Sequence, residues 1–168
     1  MSHALTGGEN RAAMGAFQLP HLAVPARMTL AQGRPQAGTI FLAARVPQHD
    51  GPETPLEMLN RPEPFFPFRP ADTGDVLLVA RSQTVALAVQ HGPIADPDRL
   101  SAAKELRFEL VLSNGTSITG HAQVELPEHH SRILDYLNAG AAPFIALSSH
   151  DSTHFVNRAH VVFARPQD

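Results

Sequence analysis

At 168 residues, 43% hydrophobic and 17% charged, with no apolar run near the roughly 20 residues a membrane helix needs, the chain reads as a globular protein with a real core. Its formal charge of −3 leaves neither half basic, with seven Lys and Arg against seven Asp and Glu in residues 1–90 and six against nine in residues 91–168, which disfavours holding a phosphate backbone by general electrostatics. The absence of cysteine excludes disulfides, thiolate metal sites and cysteine nucleophiles.

Residues 1–24, with Gly7, Gly8, Gly15 and Pro20 and little periodicity, are expected to form a tail. Neither a basic start nor an apolar core marks a secretory signal there, so the expected location is the cytoplasm. From residue 25 to 90 a first β unit is read. Met28 and Leu30 alternate into a turn at Gln32-Gly33, and Gly38, Ile40 and Leu42 return. Pro52 and Pro55 then leave room only for a brief helix around Leu56 to Asn60. Pro64 to Phe68 gives a third strand, a turn falls at Asp72 to Asp75, and one or two strands follow in 76–89.

Residues 91–105, with Gly92, Pro93 and Pro97, read as a linker with a helical turn near its end. Residues 106–168 form the second unit, and its opening hairpin is the strongest local signal in the chain. Phe108, Leu110 and Leu112 alternate with polar neighbours, Asn114-Gly115 supplies a two-residue turn, and Gly120 marks a bulge, bend or close approach in the returning strand. A helix is expected in 127–138, with Ile133, Leu134 and Leu137 on its buried face, Glu128 near its start and Asn138 with Gly140 as its stop. Strands at Phe144 and beyond close the unit, with a turn at Ser148 to Thr153.

The two units match each other in order. Gly33 falls on Gly115 and Gly38 on Gly120 at an offset of 82, with Met28 and Leu30 on Leu110 and Leu112. Pro47 falls on Pro127, Leu56 to Asn60 on Leu134 to Asn138, Pro64-Phe65 on Pro143-Phe144, and Val79 with Arg81 on Val156 with Arg158, at offsets of 80, 78, 79 and 77. Small loop insertions produce such drift, and the ordered series reads as a tandem duplication.

The hairpin ELVLSNGTSITGHAQV and the closing FVNRAHVVF resemble the first two and last two strands of the Sm-like small-barrel fold. Most of 107–165 also resembles an uncharacterised bacterial domain, through Leu126-Pro127, Arg132, Leu134 to Asn138, Phe144 and Val156 to Val161. The first copy keeps this pattern in part, with Ala80, Ser82 and Gln83 in its closing segment. These resemblances imply a mainly β protein of two tandem small antiparallel β-barrels, each with a short inserted helix. The Sm-like pattern also implies RNA binding, but the chain lacks that family's Gly after the closing Arg and carries a helix near the RNA-reading loop.

Candidate chemistry is sparse. His150 and His154 have an i, i+4 spacing but sit in a Ser/Asp-rich turn without the helix that a chelating pair needs, and His129-His130 reads as a solvated first helical turn. Ser148 and Ser149 lack a nucleophile elbow, and no glycine loop matches a phosphate cradle. No catalytic residue, metal site or cofactor is therefore assigned. The candidate binding residues are the repeated pairs Asn60/Asn138 and Arg81/Arg158, together with Phe65, Phe66 and His160. The asparagines read as helix caps or contacts, and the arginines as salt-bridged or as projecting from a barrel rim toward an anionic group. His160 reads as a structural histidine bonded to a neighbouring strand or the Asn138 region, or as a functional group. Phe65, Phe66 and Phe68 cannot share one strand face, so at least one lies at a domain interface or in an exposed partner patch. The expected function is a non-enzymatic protein-binding or assembly module, and the alternative is nucleic-acid or nucleotide binding at the rim.

Overall fold

The computed structural model describes residues 21–91, 104–124 and 132–167. Apolar alternation and glycine turns build two hairpins. The first joins β1 (His21–Leu30) to β2 (Gln36–Ala43), and the second joins β6 (Lys104–Leu112) to β7 (Ser117–Val124). In the second the turn holds three residues rather than the expected two. The Gly115 N–H donates to Leu112 O and the Leu112 N–H to Thr116 O, both at 2.9 Å, and Gly115 takes the left-handed φ of +85° that such a loop requires.

Between the hairpins lie α1 (Pro55–Leu59), β3 (Phe65–Pro70), β4 (Leu77–Ala80) and β5 (Thr84–Gln90), with a 3-10 turn at Arg81–Gln83 before β5. The helix, though brief, is fully capped at its start. Thr54 Oγ1 accepts from the Glu57 N–H at 3.2 Å, the Glu57 carboxylate accepts from the Thr54 N–H at 2.9 Å, and Pro55 fills the first turn, where no donor is needed. After the second hairpin come α2 (Ile133–Asn138), β8 (Phe144–Ser148), β9 (Ser152–Asn157), a 3-10 turn at Arg158–His160 and β10 (Val161–Pro166).

All ten strands form one antiparallel sheet in the order β10-β6-β7-β8-β9-β5-β1-β2-β3-β4. Cut between β9 and β5, it yields two halves, each with its last strand outside its first and its fourth strand at the far end. The registers agree. Ala26 lies opposite Gly38 and Phe108 opposite Gly120, and the ladder slips at Val85 in the first half and at Val162 in the second.

The fold is mainly β, as expected, but the sheet does not close into a barrel: it is continuous across its middle, and β10 and β4 are its two ends. Two hydrophobic cores lie along it, and both are shared across the middle. The first, around Met28, Ile40, Phe66 and Phe68, includes Phe144 and Phe155 from the second half, while the second, around Phe108, Leu110 and Leu147, includes Val85 and Ala86 from the first.

Two boundaries and one helix face differ from expectation. Residues 21–24 belong to β1 and not to a tail, and Lys104 and Glu105 already belong to β6 instead of the linker. In α2 the face that packs on the second core is Ile133, Tyr136 and Leu137, whereas Leu134 is exposed. The i, i+3, i+4 spacing puts those three on one stripe and leaves Leu134 a quarter-turn away. Most of the tail and linker, His129, His130 and Glu128 lie outside the described residues.

Candidate functional site

The side chains singled out by the sequence gather at three places: the central junction between β5 and β9, and the outer edges β4 and β10. The junction is a ladder of five pairs from Ala86 opposite Val156 to Gln90 opposite Ser152. Three side chains stitch it. Asn60, just past the end of α1, forms a two-way bridge to the backbone of Phe144: its Nδ2 donates to Phe144 O at 3.2 Å, and its Oδ1 accepts from the Phe144 N–H at 2.8 Å. Asn157, buried at the end of β9, donates to the carbonyls of Arg81 and Thr84 at 3.3 and 3.1 Å. His160 contacts Ser82 O through Nε2 at 2.8 Å and Ser113 Oγ through Nδ1 at 2.8 Å. A carbonyl only accepts, so Nε2 carries a proton, and in the neutral ring Nδ1 accepts from the hydroxyl. The partners of His160 are thus a turn of the other half and a hairpin loop of its own, and not the Asn138 region.

Asn60→Ala removes one side of this bridge and leaves the N–H and C=O of Phe144 unpaired in a half-buried place. The expected loss is about 1–2 kcal/mol of unfolding free energy, read as a lower urea midpoint.

Asn138 occupies the place in the second half that Asn60 occupies in the first, yet it is exposed and makes no side-chain hydrogen bond among the described residues. The two arginines turn inward, and neither projects from a rim. Arg81 is buried and donates to four backbone carbonyls: Leu59 O at 3.2 Å, Met58 O at 2.9 Å, Phe65 O at 2.7 Å and Glu63 O. Its guanidinium also lies 5.4 Å from the centre of the Phe66 ring. Burial draws its pKa below the ordinary value, with Glu63 opposing, and it stays charged at neutral pH. Arg158 repeats the clasp incompletely. Nη1 donates to Leu137 O at 3.0 Å and more weakly to Gly140 O at 3.4 Å, and the buried Nε has no partner among the described residues.

Phe66 and Phe68 alternate into the first core, and Phe65 points out of the sheet at 57% exposure. It does not stand alone. Leu77 and Leu78 on β4, preceded by Val76, and Val162 and Phe163 on β10 are also exposed, so at both ends of the sheet backbone with no partner strand among the described residues is combined with apolar side chains. Sequence reading missed these edge residues and Asn157. The signal was the unbroken apolar runs Val76-Leu77-Leu78-Val79 and Val161-Val162-Phe163. A strand with one dry face alternates, and these do not.

A groove of about 590 Å³ runs beside the junction, lined by Arg27, Gly38, Gln90, Asp151, Ser152 and His154 among others. His154 Nε2 lies 3.3 Å from Ser149 Oγ and 3.2 Å from Ser152 Oγ. Asp151 accepts from those same hydroxyls and not from the imidazole, so the group lacks the carboxylate-to-imidazole contact of a Ser-His-Asp relay. No cluster of three or more metal-ligating side chains occurs among the described residues, and no helix among them is long and apolar enough to cross a membrane.

Burial holds the His154 pKa below its ordinary value of 6.5, with Asp151 opposing and His91 assisting. A depressed pKa favours the neutral form in the fold. The stabilisation is therefore present above about pH 6.5 and is lost as the pH falls through the lower folded value. Thermal unfolding followed from pH 7.5 to 5 is expected to show a decline that flattens in His154→Gln.

Comparison with protein-family models, curated proteins and solved structures finds no match to this chain.

Proposed function

We propose that the protein is a non-enzymatic assembly module that binds other protein through the open edges of its sheet. The observation that carries this reading is the pair of edges itself. Natural sheets blunt their ends with charge, proline, bulges, short strands or a covering element; β10 has a ladder slip at Val162 and ends in Arg165-Pro166, and β4 is four residues long, yet the two still present Leu77, Leu78, Val162 and Phe163 to solvent. Strand addition to such an edge gains main-chain hydrogen bonds, and the exposed side chains supply apolar contact. Each half reads as one small-barrel unit of Sm-like kind, the pair having arisen by tandem duplication. The shared strand order, the matching registers and the 3-10 turn before each last strand support that reading. The alternative of a nucleic-acid rim finds no support in Arg81 or Arg158, whose donors are turned to backbone carbonyls.

The test is capture from the lysate of the native organism by immobilised wild-type protein and by Leu78→Lys and Phe163→Lys variants, with and without nuclease. Protein retained stoichiometrically by wild type, indifferent to nuclease and lost from either edge variant is the expected result. Capture that is untouched by both substitutions, or that vanishes with nuclease, overturns it.

A further inference from the structure

We propose that the groove beside the junction binds a small monocarboxylic acid, with its carboxylate over Ala88 against Arg27 and its apolar body along the groove floor. This goes beyond the reading of the sheet edges and does not depend on it.

The registers lay one row of side chains across four strands. His154 of β9 is opposite Ala88 of β5, Ala88 is opposite Arg27 of β1, and Arg27 is opposite Ala37 of β2. Residues directly opposite one another in an antiparallel sheet project to the same face. The next row along, Met28, Leu87 and Phe155, is buried in the first core, so this row faces the other way. There its neighbouring pair is Ala86 with Val156, at the margin of the second core. Strands lie about 4.8 Å apart, which sets His154 and Arg27 about 10 Å apart with only the methyl group of Ala88 between them. The groove of about 590 Å³ runs through that gap, and its volume is in the range that holds small molecules.

The second half shows what the rung in the first half lacks. At the offset of 82 that relates the opening hairpins, Arg27 falls on Glu109; at the offset of 77 that carries Val79 and Arg81 to Val156 and Arg158, Ala88 falls on Arg165. Glu109 and Arg165 are again directly opposite, and they form an ion pair at 2.7 Å. The same rung thus holds a cation and a carboxylate in the second half, but a cation facing a methyl group in the first. Arg27 is exposed and forms no ion pair among the described residues. The ligand supplies the carboxylate that this rung does not have.

The remaining walls define the rest of the ligand. Pro25, Ala37 and Ala71 give the groove apolar surface around Arg27. A single exposed ion pair contributes little by itself, so burial of an apolar body is as necessary as the charge. At the β9 end the groove is lined by Asp151, whose carboxylate accepts from the hydroxyls of Ser149 and Ser152. It repels a second negative charge there, which restricts the acid to one carboxylate. Because Arg27 belongs to the first half and His154 to the second, an acid held between them also ties the two halves together.

The experiment titrates the full-length protein with benzoate, benzamide and acetate at constant pH and follows the amide proton–nitrogen NMR spectrum. Benzoate is expected to saturate in the millimolar range, to shift the amides of Arg27, Ala88 and His154 most, and to raise the thermal midpoint. Benzamide keeps the ring without the charge, and acetate keeps the charge without the ring; each is expected to bind at least tenfold more weakly. Arg27→Gln is expected to weaken benzoate at least tenfold. Ala88→Glu rebuilds within the chain the carboxylate-guanidinium rung of Glu109 and Arg165, and is expected to abolish benzoate binding without lowering the thermal midpoint. No saturable shift with benzoate up to tens of millimolar overturns the proposal, as does equal binding of benzamide or of acetate. Undiminished binding to Arg27→Gln overturns it too, and since Arg27 is exposed, that variant decides the matter even if Ala88→Glu does not fold.

Discussion

Replacing Arg81 with methionine is expected to lower the unfolding free energy by about 3–4 kcal/mol, a fall of roughly 10 °C in Tm for a chain of this size. Methionine keeps an apolar stem of similar reach and so leaves little cavity. What it removes is the donor set for the carbonyls of Met58, Leu59, Glu63 and Phe65. These four groups sit where the chain leaves α1, runs through Pro62 and Pro64 and enters β3. Two prolines in that stretch remove backbone donors, and the β3 ladder begins only at Phe65, so the guanidinium supplies what secondary structure supplies elsewhere. Lysine is expected to recover only part of the loss, because its single ammonium cannot reproduce a fork that donates on three nitrogens. Arg158→Met is the control. Its clasp reaches two carbonyls with Nε unpaired, so about 1–2 kcal/mol is expected there. Urea unfolding of the three variants reads the order directly. Equal losses at 81 and 158 would contradict the assignment of Arg81 as the fuller clasp.

That role also marks how far the sequence could be read. Alternation at Phe108, Leu110 and Leu112, and glycines at matching places in the two halves, are local signals, and the hairpins they announce are present. The arginine pair was visible as a repeat, but whether a guanidinium faces solvent or a ring of carbonyls depends on where α1 and β3 are brought together. No local pattern carries that information. The same holds for the join between the halves. Each half contains its own first-to-last strand order, so a sequence whose two halves match in order reads as two separate units. The pairing of β5 with β9 that makes the sheet continuous is a contact between strands that lie far apart in the chain.

Leu134 shows the opposite kind of miss. It is as apolar as its neighbours, and only the face chosen by Ile133, Tyr136 and Leu137 against the second core leaves it outside. The candidate site was legible as residue types, at repeated positions for Asn60, Asn138 and Phe65 and singly for His160. Its division into a closed inner junction and two open outer edges was not.

Gly120→Ala is expected to cost about 2–4 kcal/mol, out of proportion to one added methyl group. The backbone angle at Gly120 is ordinary, so strain in φ is not the cause. A Cβ built there lies 2.4 Å from Ser148 O and 3.1 Å from Leu147 Cγ, and the carbonyl is backbone that cannot swing aside. Strand β7 meets β8 through a single ladder pair, His121 opposite Ser148, next to this contact. Relieving the overlap therefore separates the two strands at the one rung that joins them and loosens Leu147 in the second core. Gly38→Ala places its Cβ 2.4 Å from Arg69 O and 2.4 Å from the buried Phe68 ring, and β2 and β3 are held by three rungs that resist parting, so its cost is at least as large. In contrast, Gly115→Ala meets no atom within 4 Å and carries only the penalty of its φ of +85°, about 1 kcal/mol. Gly38→Ala and Gly120→Ala are both expected to destabilise well beyond Gly115→Ala. Amide hydrogen exchange separates the causes: Gly120→Ala exposes the amides of β7 and β8 together, while Gly115→Ala leaves that pair protected and loosens only its own turn. Protection of β8 that survives in Gly120→Ala would mean that the strand shifts in register instead of parting, and the single rung at His121 would not be the weak point of the second half.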